Sequence, residues 1–435
     1  MKEKITLFWF RRDLRLDDNR GLFEALQSGL KVLPIFIFDT VILDKLENKQ
    51  DARVQFIQTQ VTQLNEQLKA FRSGIQVFHG KPKNIFHQII DLYQVKSVYL
   101  NKDYEPYARE RDVQIKALCG KNNIEFRAFK DQVIFEESEI VKDDATPYTV
   151  FTPFSKKWKK VLNDSYLKAY NYQPFAENFY HFNAQIPSLE AIGFKSSAME
   201  IPEPKLEIER LQAYADNRDI PEKDATTKLG IHLRFGTVST RQMVKKARDT
   251  SETFLNELIW REFFMQILYH FPHVENGNFR SKYDQIAWRN NEQEFKKWCA
   301  GKTGYPLVDA GMRELNTTGF MHNRVRMLTA SFLTKHLLID WRWGEAYFAE
   351  KLLDYELASN NGNWQWAAGT GCDAAPYFRI FNPTEQQKKF DPQAKYIKKW
   401  ISEFDDLGYP HPIVDHKMAR ERTLSTYKAA LDTSY

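Results

Sequence analysis

The chain has 435 residues, 43% of them apolar, enough to build two or more ordinary domain cores. No apolar run approaches the ~20 residues of a membrane span, and the charged opening MKEKITLFWFRRDLR is no secretory signal, so a soluble, cytoplasmic protein without membrane contact is expected. A formal charge of +5 admits nucleic acid without requiring it, while Cys119, Cys299 and Cys372, odd in number and far apart, form neither a disulfide framework nor a CxxC metal pair.

From the start, apolar β-rich runs at Ile5 to Phe10, Val32 to Phe38, Ile75 to Phe78, Val95 to Leu100 and Ile124 to Phe129 read as buried strands. Helical patterns at Arg53 to Phe71, Ile85 to Tyr93 and Tyr107 to Leu118 lie between them. The alternation predicts an α/β domain, a doubly wound parallel sheet, over residues 1–130. No GxGxxG or GxxxxGK[ST] follows a strand, which removes the main support for a dehydrogenase or P-loop reading. The charged run Arg11 to Asn19 follows the first strand, where doubly wound sheets bind ligands, and is otherwise a solvated loop.

Residues 131–205 carry prolines and weak periodicity, the pattern of an interdomain linker. Beyond it the β-rich runs stop and an all-α domain is predicted over residues 206–435, with Pro306 and Gly319 bracketing one helix and Val325 to Leu338 forming another. In this half Glu257, Trp260, Arg261 and Phe264 share a helix face at i, i+3, i+4 and i+7, and Asn323, Arg326 and Met327 repeat the spacing. The densest stretch is Leu353 to Pro383. There Asn360-Asn361-Gly362-Asn363 predicts a turn rather than a helix interior, and Trp364 and Trp366 are expected on nearly opposite faces. The absence of HxxxH, HExxH and GxSxG patterns argues against metal and serine-hydrolase chemistry. What remains is an aromatic, polar pocket with few general bases, the setting in which a bound cofactor does the hard step.

Several ordered motifs run through nearly the whole chain: WFRRDLRLDDN, FTPF at Phe151, YADNRDIP at Tyr214, NELIWREFF at Asn256, GKTGYPLVDAGMREL at Gly301, GFMHNRVRM at Gly319, DWRWGE at Asp340 and NNGNWQWAAGTGCDAAPYFRIFNP at Asn360. Together they resemble the DNA photolyase and cryptochrome flavoproteins, most closely the class I photolyases that repair cyclobutane pyrimidine dimers. The resemblance implies an N-terminal α/β domain for an antenna chromophore and an all-α C-terminal domain holding FAD. It places the FAD against Tyr214, the Thr226-Thr227-Lys228-Leu229-Gly230 turn, Phe254, Arg326, Asp354, Tyr355 and Glu356, with Arg326 pairing Asp354 and Asn360 beside flavin N5. Gly230 stands where relatives often have serine, and Glu356 where they have aspartate. The second chromophore stays open among deazaflavin, folate and flavin types. Tyr107-Ala108 and Val274-Glu275 replace the pairs of folate-binding relatives, and EPYARERD is nearer to relatives with a deazaflavin or an empty pocket.

Trp288, Trp341 and Trp364 match the family's electron relay to the flavin. On the substrate side the resemblance places Glu257, Trp260, Asn323, Met327 and Trp366, with Trp260 and Trp366 clamping a flipped-out dimer. Glu257, Asn360 and Met327 are the residues expected at the reaction itself, Glu257 donating a hydrogen bond from a desolvated place between aromatics. Arg218, Arg261, Arg324, Arg379 and Gln386 are expected on the DNA backbone. Repairers of the (6-4) photoproduct have histidines at the positions of Asn323 and Met327, so the expected partner is UV-damaged DNA carrying cyclobutane dimers, bound by a monomer. A cryptochrome-like blue-light receptor is the rival, less favoured because the chain ends at Tyr435 with little room for a signalling tail.

Overall fold

Five apolar runs become the strands of one parallel sheet in the computed structural model, which describes residues 3–432. In chain order they are β1 (Lys4–Phe10), β2 (Lys31–Asp39), β3 (Gln76–Gly80), β4 (Gln94–Asn101) and β5 (Glu125–Phe129), arranged as β3-β2-β1-β4-β5. β1 pairs with β2 from Ile5 to Phe10 and with β4 from Lys4 to Phe8. Covered on both faces, it shows no alternation: Ile5 through Phe10 are all buried. Helices α1 (Arg20–Leu26), α2 (Ala52–Lys69), α3 (Pro82–Leu92) and α4 (Pro106–Lys121) supply the crossovers. Phe8, Phe10, Leu22 and Val61 fill one core, and Leu7, Trp9, Phe86 and Ile115 the other.

The chain divides into two compact units. One comprises the chain through Ile140, Trp158–Glu203 and Leu229–Asp249; the other comprises Val141–Lys157, Pro204–Lys228 and the chain from Thr250 onward. Much of the stretch expected as a linker therefore folds with the sheet. Tyr172, Ala176 and Phe179 are buried in its core, and Tyr180 N donates to Val32 O at 2.8 Å. Single aromatic anchors hold this run, which is why it shows no period. The Arg11 to Asn19 run is neither an open crevice nor a solvated loop. Arg11 pairs with Asp112 at 2.5 Å, Arg12 with Asp103 at 3.1 Å, Arg15 with Asp131 at 2.7 Å and Asp18 with Arg241 at 2.9 Å. Asp13, whose carboxyl is pushed up by burial, accepts from Asn101 Nδ2 at 2.6 Å.

The second unit is helical: α5 (Glu252–His270), α6 (Pro306–Thr318), α7 (Asn323–Ser331), α8 (Trp341–Lys351), α9 (Leu357–Ala368) and α10 (His416–Asp432) are its main elements. α6 starts at Pro306 and stops at Gly319, whose φ of 66° satisfies the left-handed cap. α7 ends early, and Phe332–His336 continues it as a π-helix. α9 packs against α5, α7 and α8, with Trp364, Trp341, Phe348, Trp298 and Phe332 in a common core.

Asn360 to Asn363 lie inside α9, contrary to the expected turn. Tertiary contacts outweigh the ~1 kcal/mol that a mid-helix glycine costs. Gly362 faces Phe264, whose Cδ1 would lie 2.1 Å from an added Cβ. Asn361 Nδ2 donates to Val274 O at 2.8 Å. The left-handed turn comes later, at Gly369, with φ 84°. No helix among the described residues is long and apolar enough to cross a membrane.

Candidate functional site

Helices α5, α7 and α9 bring the polar and aromatic residues of the helical unit around two adjoining cavities. The first, ≈ 100 Å³, is lined by Arg326, Asp354, Tyr355, Glu356, Asn360 and Trp364 among others. The second, ≈ 290 Å³, is lined by Arg218, Glu257, Trp260, Arg261 and Phe264. Asn323, Met327, Ser359, Asn363 and Trp366 line both and form the wall between them.

In the first cavity Arg326 makes a two-pronged pair with Asp354, Nη1 to Oδ1 at 3.1 Å and Nη2 to Oδ2 at 2.9 Å. Its Nε donates to Met321 O at 2.7 Å, which fixes the plane of the guanidinium. Asn360 Nδ2 donates to the Glu345 carboxylate at 2.8 Å and to Glu345 O at 3.1 Å. Both partners are acceptors on the same side, so Oδ1 points the other way. Burial, with Glu275 nearby, pushes the Glu345 carboxyl above its ordinary value. Trp364 is buried against Phe348 and Trp298, ring centroids at 5.0 and 6.2 Å. Trp341, also buried, donates from Nε1 to Asn278 Oδ1 at 2.9 Å, and half-buried Trp288 meets Tyr427 edge-on at 6.0 Å.

The second cavity departs from expectation in two residues. Glu257 is not desolvated between aromatics: its side chain is 32% exposed and pairs with Arg218. Its Oε1 accepts from Arg218 Nη1. Arg261 is not a surface cation free for phosphate, because its side chain is 12% exposed and pairs at 3.1 Å with Glu356, itself buried and accepting from Ser359 Oγ at 3.2 Å. Trp260 lines the cavity with one face already covered, since Phe151 stacks on it at 3.6 Å and 3°. Trp366 is half-buried with Arg379 6.0 Å over its ring.

Around these cavities, Arg324 pairs with Asp219 at 2.7 Å, Arg379 is exposed, and Gln386 is half-buried on the helix Pro383–Phe390. Tyr214 and Phe254 pack edge to face at 5.3 Å, outside the lining of both cavities. Burial pushes the Tyr214 hydroxyl up to about 12. Thr226 is half-buried, Thr227 buried, and Lys228 lies 3.7 Å over the Phe320 ring. Leu229 and Gly230 open the short helix Gly230–Phe235. Sequence reasoning missed Ser359, Asn363 and Glu345. The first two fall on the Glu356 face of α9 and become visible once the asparagine run is read as helix. Glu345 acts across 15 residues and has no local signal.

Aromatic walls at Tyr355, Trp364 and Trp366, with a fixed cation, carboxylates and an amide at the edges, suit a planar ring system carrying polar atoms on its rim. Residues 254–408 match the family model described as the FAD binding domain of DNA photolyase, and residues 6–176 the one described as DNA photolyase. The chain is thus an FAD-binding flavoprotein built from an α/β and a helical part. The deoxyribodipyrimidine photo-lyase of Synechococcus is 36% identical, over 98% of this chain and 97% of its own, and that of Escherichia coli is 35% identical over 98% of each. A class III photolyase structure from Agrobacterium tumefaciens superposes with a TM-score of 0.89 at 32% identity, covering 99% of this chain and 98% of its own. An archaeal photolyase from Sulfolobus tokodaii, solved with two FAD molecules, gives 0.81 at 35% over 98% and 99%. The chain belongs to the DNA photolyase family.

Proposed function

We propose that the protein repairs cyclobutane pyrimidine dimers in UV-damaged DNA under blue light. The observation that supports this reading is that two adjoining cavities share five lining residues, so that a cofactor in the first would lie beside bases held in the second. Arg326, Asp354, Tyr355, Glu356 and Asn360 hold the flavin part of FAD, and Tyr214, Thr226, Thr227, Lys228, Leu229, Gly230 and Phe254 are proposed for the rest. When bound and reduced, FAD supplies under light the electron that opens the cyclobutane ring and receives it back.

The chain's own residues bind, orient and exclude water. Asn360, its amide held by Glu345, would offer its Oδ1 as an acceptor to the bound flavin. Glu257, steadied by Arg218, offers an acceptor to a pyrimidine N–H. Trp366 and the open part of Trp260 stack on the bases, worth about 1–3 kcal/mol each against the few kcal/mol of unstacking. Met327 and Asn323 close the wall. Trp288, Trp341 and Trp364 would carry electrons inward to the cofactor when it is bound. Arg218, Arg324, Arg379 and Gln386 position the DNA backbone. The protein acts as a monomer on DNA in the cytoplasm, with a second chromophore of deazaflavin, folate or flavin type in the sheet unit.

A receptor reading uses the same pocket. A Synechocystis cryptochrome structure superposes with a TM-score of 0.81 at 26% identity, covering 98% of this chain and 99% of its own. DNA retention separates the two. In the dark the FAD-loaded, reduced protein is expected to hold a dimer-bearing duplex more tightly than the intact one, and to release it under blue light as the lesion disappears. Equal affinities for the two duplexes, or no release on illumination, would contradict repair.

A further inference from the structure

Asn363 stands on α9 one turn beyond Asn360, is exposed, and lines both cavities. Its amide orientation is fixed. Nδ2 donates to Ser359 O, one turn back, at 2.8 Å. A backbone carbonyl only accepts, so the –NH2 end must face Ser359 and Oδ1 must face away from it. No described residue donates to Oδ1. Among the neighbouring polar groups, Glu356 is held by Arg261 and Ser359 and the Asn360 amide by Glu345, while Glu257, steadied by Arg218, keeps acceptor capacity for the substrate. On the shared wall Asn363 Oδ1 is thus an oriented acceptor with no donor among the described residues, beside the Asn323 amide, whose Nδ2 reaches only the Met327 sulfur at 4.0 Å.

A thymine or uracil ring keeps its imide when C5 and C6 are joined in a dimer, so each half still presents an N3–H. A cytosine ring in its amino form presents an N3 lone pair instead. With two N3–H groups in a thymine dimer and Glu257 lining the same cavity, a second acceptor is what the substrate chemistry calls for. We propose that Asn363 is a specificity-determining contact, its Oδ1 accepting the N3–H of one pyrimidine and making the protein prefer imide-bearing dimers to cytosine dimers. This rests on the dimer-binding reading above and names the substrate within it. Against cytosine, Oδ1 meets a lone pair and the bond is lost.

The test compares dissociation constants in the dark for oligonucleotides carrying a thymine dimer or a cytosine dimer, with the FAD-containing native protein and Asn363→Ala. Alanine is the best helix former, so α9 is kept. A neutral hydrogen bond of this kind corresponds to about fivefold to tenfold in affinity. Asn363→Ala should weaken thymine-dimer binding by that factor and leave cytosine-dimer binding unchanged, so that the preference shrinks. Equal weakening on both dimers would assign Asn363 a merely structural part and overturn the inference, as would no change on either. Native protein that binds a thymine dimer no better than intact DNA would instead overturn the proposed function, and that result is read before the variant is made.

Discussion

Removing the Glu345 carboxylate tests how the site orients Asn360. With Asn360 Nδ2 bonded to two oxygens at 2.8 and 3.1 Å, turning the amide over would set Oδ1 against both. Counting 1.5–3 kcal/mol for the bond to a charged acceptor and about 1 kcal/mol for the bond to the carbonyl, the present orientation is favoured by roughly 3 kcal/mol, more than a hundredfold. Glu345→Leu leaves only the carbonyl bond. At about 1 kcal/mol, roughly one amide in six then points the wrong way, and the amide is also less firmly held. The wrong-way fraction alone lowers FAD affinity only about 1.2-fold; the ~1.4 kcal/mol of holding lost with the carboxylate brings the expected fall to about tenfold, read from flavin fluorescence on dilution of the reconstituted protein. Glu345→Gln, which can turn an oxygen to Asn360, should stay within about threefold. The melting temperature of Glu345→Leu should not fall, because burial already pushes that carboxyl up and its ionised form is costly in place. If Leu and Gln variants lose FAD equally, or if Leu unfolds the chain, Glu345 does not act by orienting Asn360.

The remaining expectations concern packing, pH and salt. Gly344→Ala would put a Cβ 2.1 Å from Trp364 Cη2; it should cost about 1–3 kcal/mol and slow light-driven flavin reduction, and an unchanged reduction rate would remove Trp364 from the relay. His336 shares a 2.8 Å bond with His416, and burial holds its imidazole down to about 3. The unfolded chain takes up that proton near 6.5, so stability present at pH 7 is lost as pH falls through the window from about 6.5 towards 3. This group contributes about 2 kcal/mol of loss by pH 5. His336→Phe, which keeps the stack on Phe332, should flatten the loss in urea titrations at pH 7 and 5, and parallel curves for variant and native would contradict the assignment. Arg379→Ala should lower the slope of log affinity for DNA against log salt by about 0.9. Arg261→Ala should leave that slope alone and destabilise the fold by about 3 kcal/mol, because it strips the guanidinium from buried Glu356. Equal slope changes in the two variants would refute the distinction.

The inner strands β1 and β2 were legible because they are buried on both faces: the Ile5 to Phe10 run differs from β1 by one residue. The helix from Pro306 was legible because proline and Gly319 mark its ends chemically. The asparagine run misled because its side chains satisfy themselves on distant carbonyls at Val274 and Glu345, and Gly362 is explained only by the ring of Phe264. Local propensity carries none of that. The stretch Trp158–Glu203 misled for the same reason, since isolated aromatics such as Phe179 tie it to the sheet without a period. In the site, spacing put Glu257, Trp260 and Arg261 on one helix face and Asn323, Arg326 and Met327 on another, while the family resemblance set Arg326 beside Asp354 and grouped Glu257, Trp260, Asn323 and Trp366, which line one cavity. The charge partners were not legible. Arg261 with Glu356 and Glu257 with Arg218 are pairings across helices, and they changed the roles of Arg261 and Glu257.

Restoration of thymine in the lesion tests repair most directly. With the FAD reduced and an oligonucleotide bearing one thymine dimer bound, blue light should restore the ultraviolet absorbance of two intact thymines, while the dark control stays flat. A dimer that remains unchanged under light, with FAD present and the DNA bound, would contradict the central claim.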